Sequence, residues 1–255
     1  MSEFEAKYAH LYDMFHASKE YELEVKRLLD FIGTIGGEYE VRSILDMGCG
    51  TGAHLEAFAK LGKQVAGYDI SENMIRVART RVPKADFYTQ LPNQSLGVDL
   101  SYAFFDVISY VLTEEELQAF FTLAYAHTKA GGYFFADSWH YEGIIFDPPK
   151  MNKRQVQDGF NNIERCVIPL IENENQELFL EKGLVELSIT LRDVDTNRPI
   201  SKEIHKLRGW KPEVVLQILE STGFNDVKVF SVKDYSQEVT DHEFRFGVIA
   251  RKENR

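Results

Sequence analysis

The stretch Ser43-Ile-Leu-Asp-Met-Gly-Cys-Gly-Thr-Gly52 leaves this chain few ways to fold. Ile44 and Leu45 have the character of a short buried strand, Asp46 closes it, and Gly48, Gly50 and Gly52 follow at alternate positions. Glycine adopts positive φ without a Cβ penalty and lets a ligand lie against the backbone, so this spacing predicts a tight turn with exposed main chain. Ala53 to Leu61 is rich in helix formers, and Gly62 stands where a C′ glycine belongs. Strand, glycine turn and helix make the first half of a βαβ unit that receives a ligand at the turn.

Gly48, Gly50 and Ala53 also satisfy the G-x-G-x-x-G/A dinucleotide fingerprint, so NAD is the competing ligand. Asp46 and the third glycine, Gly52, decide against it. A carboxylate two residues before the first glycine repels a pyrophosphate and attracts a cation such as an aminoacyl sulfonium. Downstream, Lys63 to Tyr68 is expected to be a second strand ending at Asp69, with Ser71 capping a helix from Glu72 to Val82 before Pro83. Asp69 lies 17 residues beyond Gly52 (69 − 52), near the spacing at which an acid at the tip of the second strand reaches ribose hydroxyls.

The D-x-G-x-G-x-G stretch resembles motif I of the class I S-adenosylmethionine (SAM) dependent methyltransferases. That resemblance implies SAM as cofactor and an α/β, Rossmann-like seven-stranded fold. It implies that Asp46, Gly48, Cys49, Gly50 and Gly52 form the donor loop, that Asp69 holds both ribose hydroxyls, and that Ile70 and Met74 lie near the adenosine. The loop Thr89-Gln90-Leu91 stands where relatives carry an acid for the adenine amino group; Gln90 can accept the same bond through its carbonyl, beside Leu91. Phe104 opens the loop after the fourth strand and is placed with the cofactor residues. Tyr8 and Tyr12, within Tyr-Ala-His-Leu-Tyr-Asp13, match a lid segment that closes over donor and acceptor in small-molecule enzymes of this class, with Tyr12 toward SAM. No metal is implied.

Charge narrows the acceptor. The chain has 255 residues, 29 basic against 40 acidic, a net charge of −11, and no Lys/Arg run, which disfavours nucleic acid. No apolar run approaches 18 residues and the first residues lack the pattern of a leader peptide, so neither a membrane partner nor secretion is expected, and the cytoplasm is. The two cysteines, Cys49 and Cys166, offer no disulfide framework. A small-molecule acceptor and a monomer or homodimer are expected.

Four regions are expected: a helical lid over 1–40, a SAM-binding core over 41–143, an antiparallel β insertion over 144–210 on the substrate side, and the C-terminal part of the core over 211–255. In the lid, Ser18 is the predicted cap of a helix through about Ile32, broken by Gly33, Gly36 and Gly37. Thr113-Glu-Glu-Glu116 is a capping box for a helix to about Lys129, and Tyr133 to Ala136 is the predicted fifth strand after Gly131-Gly132. The insertion shows alternation, as in Leu184 to Leu191, and a turn at Asp195 to Arg198; a helix over Pro212 to Thr222 and two strands, Asn225–Ser231 and Phe244–Arg251, close the chain.

With the insertion in place the chain resembles the sugar N,N-dimethyltransferases of deoxysugar pathways and related methyltransferases of polysaccharide clusters. The motifs are Phe104-Phe-Asp-Val-Ile-Ser-Tyr110, Asp137-Ser-Trp139 and His205-Lys-Leu-Arg208; where those sugar enzymes have Glu-Pro-Trp, this chain has Asp137-Ser-Trp139. The implied reaction is methyl transfer to an amino or hydroxyl group of a sugar or nucleotide-linked sugar; the alternatives are O- or carboxyl-methylation of a non-sugar metabolite, or a SAM-binding module without turnover. Ligands bind beyond the carboxyl ends of strands in such sheets, so the candidate acid–base residues are His140 after strand five, Tyr110 in the acceptor loop and His205 on an insertion strand. Imidazole ordinarily changes charge between pH 5 and 8, which suits a proton acceptor.

Overall fold

The computed structural model describes residues 6–37, 39–159, 161–171 and 176–253. The first five residues of the expected lid, read above for a leader, lie outside the described residues, as do 38, 160, 172–175 and 254–255. Strands β1 (Ser43–Met47), β2 (Gln64–Tyr68), β3 (Asp86–Tyr88), β4 (Val98–Ala103), β5 (Thr128–Trp139), β10 (Phe224–Ser231) and β11 (Arg245–Lys252) form one sheet in the order β10-β11-β5-β4-β1-β2-β3. β1 to β5 are parallel, and β11 runs antiparallel between β5 and β10. The turn from β1 to β4 across the sheet leaves a crevice beyond the strand ends, where such sheets bind ligands. Helices α3 (Ala53–Lys60), α4 (Glu72–Arg81), α5 (Glu114–His127) and α8 (Pro212–Thr222) cover the faces.

The local signals act as the physics requires. Ser71 caps α4 by accepting from the Met74 N–H, and Thr113 and Glu116 make the reciprocal capping box at α5. Gly62 at φ +74 follows α3, and Gly223 at φ +110 ends α8.

Three expectations are corrected. Ser18 is exposed and caps nothing: α2 (Tyr21–Gly36) starts after Glu20, without a side-chain cap. Nor do Gly33 and Gly36 break that helix. Val25, Leu28 and Ile32 are buried against the sheet at about 1.5–3 kcal/mol each, which outweighs about 1 kcal/mol per helical glycine. The fifth strand begins at Thr128, before the glycine pair, because a register shift between Val98 and Leu100 absorbs Gly131 at φ +76, while a Cβ on Gly132 would come within 2.9 Å of the Asp99 carbonyl.

Strands β6 (Asn152–Asp158), β7 (Asn161–Leu170), β8 (Leu184–Asp193) and β9 (Pro199–Arg208) form a separate antiparallel sheet in that order. Two short helices, α6 (Tyr141–Phe146) before it and α7 (Gln176–Lys182) between β7 and β8, escaped the sequence pattern. One face of this sheet receives α1 (Ala6–Phe15): Tyr8, Leu11 and Phe15 pack with Ile163, Val167, Ile189 and Leu191, and with Met74 of α4. Thus α1 bridges the small sheet and the core, over the mouth of the crevice. Among the described residues no helix is long and apolar enough to cross a membrane.

Where the small sheet leaves the core, α6 lies against the segment before β11, and a Cβ on Gly143 would come within 1.8 Å of the Glu243 carbonyl oxygen. Gly143→Ala is expected to cost about 1–3 kcal/mol by overpacking, read as a drop of several degrees in Tm by thermal denaturation.

Candidate active site

A cavity of about 400 Å³ opens at the carboxyl ends of β1, β2 and β4, roofed by α1 and walled on one side by the small sheet. On its donor side the glycine loop takes the shape the sequence demands. Gly48, Gly50 and Gly52 have φ of +98°, +51° and +78°. Around the Cβ position of Gly50 there is open space; that of Gly48 is filled by Val107. Gly52 sits beneath the cavity, where a Cβ would come within 3.1 Å of the Ala78 Cβ on α4. At the tip of β2, Asp69 Oδ2 accepts from the Gly50 N–H and Oδ1 from the Ser71 N–H, both at 2.8 Å. Each oxygen keeps a lone pair. The side chain lines the cavity beside Ile70, which is 63% exposed, and Met74.

Gly48, Cys49, Gly50, Asp69, Ile70, Met74, Tyr12, Phe104 and Tyr110 therefore share one cavity. Other expected residues sit elsewhere. Asp46 is buried under the loop with Oδ2 bound to the Tyr102 hydroxyl at 2.6 Å, and burial pushes its pKa up to about 8. Gln90 is exposed, and Leu91 packs into the core beneath β1 and β4, so neither lines the wall. His140 is buried behind Trp139, its Nδ1 3.1 Å from the Glu243 carbonyl and its Nε2 2.9 Å from Glu142. His205 lies one layer back from the cavity, and its Nδ1 meets the Tyr110 hydroxyl at 3.0 Å.

His16, Arg165 and Arg245 line the cavity without having carried a sequence signal, and the loop expected over 104–110 holds two left-handed residues. Phe105 and Asp106 adopt φ of +69° and +63°, a conformation costing about 1–3 kcal/mol for a residue with a side chain. The Asp106 N–H donates to Asp137 Oδ1 at 2.9 Å, and Arg245 pairs with Asp106 Oδ2 at 2.5 Å. Among the described residues Asp106 Oδ1 is buried with no hydrogen-bond partner, in the wall of the cavity. Burial, then the neighbouring Asp106, pushes the Asp137 pKa up to about 7 against the pull of Arg245. Helix α1 is latched to the glycine loop: Asp13 accepts from Thr51 Oγ1 at 2.6 Å and pairs with Arg81 at 2.6 Å.

A model of the methyltransferase domain matches residues 44–132. Over 197 residues the chain is 32% identical to a protein of Geobacillus sp. (strain WCH70) described as a methyltransferase, covering 73% of this chain and 78% of that one. The chain belongs to the class I SAM-dependent methyltransferases. It is 32% identical over 149 residues, 56% of its length, to a dTDP-3-amino-3,4,6-trideoxy-alpha-D-glucopyranose N,N-dimethyltransferase of Streptomyces venezuelae, and spans only 62% of that enzyme. A SAM-dependent methyltransferase from Clostridium acetobutylicum superposes with a TM-score of 0.76 over 97% of this chain and 98% of that one; at 20% identity this establishes the fold alone.

SAM is the cofactor of this methyltransferase, and the residues present fit it. A two-oxygen acceptor at the β2 tip suits a vicinal diol, apolar Ile70 and Met74 suit the adenosine, and the side-chain-free approach at Gly50 suits the amino-acid portion. At about 100 times its dissociation constant, S-adenosylhomocysteine is expected to stabilise the wild type by about 2.7 kcal/mol, and calorimetry is expected to find at least tenfold weaker binding to Asp69→Ala. The raised pKa of Asp137 has its own signature. Between its ordinary value of 3.8 and about 7 the folded protein keeps a proton that the unfolded chain loses, so this group lowers stability as pH rises through that window. Asp137→Asn, which retains the acceptor for Asp106, is expected to raise Tm at pH 8 and to change it little at pH 4.

Proposed function

We propose that this methyltransferase moves a methyl group from SAM to the amino group of a sugar carried on a nucleotide diphosphate. When bound, SAM supplies an electrophilic methyl on a sulfonium; the chain's residues align, desolvate and deprotonate the acceptor. Asp69, Ile70, Met74 and the Gly48–Gly50 turn hold the donor, with Tyr12 and Phe104 beside it. Helix α1 is the lid that excludes water, and region 144–210 is the substrate side. Such positioning is worth about 7–11 kcal/mol of barrier in ideal intramolecular models.

The observation that carries this reading is a gathering of cations at the cavity of a chain with net charge −11. Burial first, then the charges of Arg165, Arg154, Lys19 and Arg245, drives the His16 pKa down to about 3. Arg165 of β7 and Arg245 of β11 line the cavity itself, Arg245 paired with Asp106 and Arg165 left as the cation for an anionic handle. A cationic mouth on an acidic protein favours an anionic handle such as a diphosphate, while the buried Asp106 Oδ1 deeper in the wall accepts from an amine. The likeness to the deoxysugar N,N-dimethyltransferase adds support, since that enzyme's acceptor is a dTDP-linked aminosugar.

The test is incubation with SAM and a panel of dTDP-linked aminodeoxysugars, free aminosugars and dTDP-linked neutral sugars, with product masses read by spectrometry. Methylated aminosugar nucleotides are expected. Methylation confined to the neutral sugars would assign the acceptor as a hydroxyl. Arg165→Ala is expected to raise KM for the nucleotide-linked acceptor about tenfold or more, and to leave KM for the free aminosugar unchanged.

A further inference from the structure

The cavity's acceptor wall ends in a chain of three side chains from two distant segments. Tyr110 closes a 3₁₀ turn after β4 and is half-buried, lining the cavity. Its hydroxyl lies 3.0 Å from Nδ1 of His205, which is fully buried on β9, and Nε2 of His205 lies 2.9 Å from Oε2 of Glu203, two residues earlier on the same strand face. A carboxylate accepts only, so Nε2 carries the ring hydrogen and Nδ1 accepts from the Tyr110 hydroxyl. We propose that Tyr110, His205 and Glu203 form a proton relay that leads from the acceptor atom in the cavity to a buried imidazole. The inference rests on the methyl transfer proposed above.

The proton balance closes within these groups. As the acceptor N–H bond breaks, its proton binds the Tyr110 oxygen, whose own proton passes to His205 Nδ1. The nitrogen lone pair is left free to form the new bond to carbon. His205 becomes an imidazolium whose charge Glu203 faces through Nε2–H. When product leaves and water enters the cavity, His205 returns its proton through Tyr110 to solvent, and the neutral relay can then take the proton of a second turnover on the same nitrogen. Tyr110 is the catalytic residue, and Glu203 a positioning residue that fixes the tautomer.

The surroundings support a functional arrangement. The buried imidazole has a side chain on each ring nitrogen, a hydroxyl at Nδ1 and a carboxylate at Nε2, and these two contacts set its polarity. Tyr8 of α1 packs edge-on to His205, with ring centroids 6.3 Å apart, and its own hydroxyl accepts from Arg165 Nε of β7 at 3.1 Å. Tyr12 and Glu203 are further ionisable neighbours: burial is the first cause of the raised pKa of Tyr8 and Tyr12, with Glu203 acting on Tyr8 and Tyr110 on Tyr12. Arg165, the cation among these groups, gives its Nε–H to the Tyr8 hydroxyl. Lid and relay therefore meet at one point, so lid closure and the proton path are joined.

The experiment has two arms. Histidine ¹⁵N chemical shifts of the free enzyme report the tautomer: Nε2–H is expected for His205 in the wild type, with loss of that preference in Glu203→Gln, and an Nδ1–H tautomer in the wild type overturns the relay. In the second arm, Tyr110→Phe is expected to lower kcat by about 10²-fold or more near neutral pH with KM nearly unchanged, and to recover as pH rises and the amine arrives neutral. Glu203→Gln is expected to shift the acid limb of the pH profile, and Glu203→Asp to restore it. Folding of each variant is checked by its thermal shift with S-adenosylhomocysteine. A Tyr110→Phe enzyme with wild-type kcat and pH profile overturns the relay while methyl transfer stands. A wild type that binds S-adenosylhomocysteine and methylates no acceptor overturns the functional reading instead, and the tautomer then decides the relay by itself.

Discussion

Asp69 is the joint on which the cofactor side depends. Its carboxylate ties the Gly50 N–H of the loop after β1 to the Ser71 N–H at the start of α4, from the end of β2. The loop after β1, the tip of β2 and the start of α4 are thus tied together by one side chain. Burial raises the Asp69 pKa and the two backbone bonds lower it, so the group is held in a polar niche inside an otherwise apolar rim. A ligand that donates two further hydroxyls adds to an arrangement already formed.

The opposite side of the cavity is built differently. There the chain uses strain and charge, as in the left-handed Phe105 and Asp106 held by Arg245 and Asp137, rather than glycine. Arg245 reaches the cavity from β11, Arg165 from β7, and Tyr110 from the turn after β4, so three segments more than fifty residues apart along the chain supply one surface. Helix α1 unites the two sides. It packs on β7 and β8, pins its Asp13 to Thr51 and Arg81 beside the donor loop, and places Tyr8 against His205.

The donor loop was legible because it is local. Motif I spans ten consecutive residues and its partner, Asp69, follows one helix and one strand later, so spacing along the chain reproduces distance in space. The same logic made the Thr113 capping box and the Gly223 helix end readable. It failed where packing overrides propensity. α2 runs through its glycines because its buried face holds it, and β5 takes in Gly131 and Gly132 because a bulge absorbs them.

By itself, then, the sequence determined the βαβ unit with its glycine turn, the parallel core with its antiparallel final strand, and antiparallel strands inserted between strand five and the last helix. Each of these follows from residue types whose backbone preference or period acts over a few turns of chain. Tertiary structure alone decided which candidate side chains meet. His140, near the cavity in sequence, has both ring nitrogens turned to Glu243 and Glu142, while His205, sixty-five residues further on (205 − 140), pairs with Tyr110. Nothing along the chain relates a 3₁₀ turn after β4 to the register of β9. That relation is set by how the small sheet packs on the core, a long-range balance of buried area that no local pattern encodes.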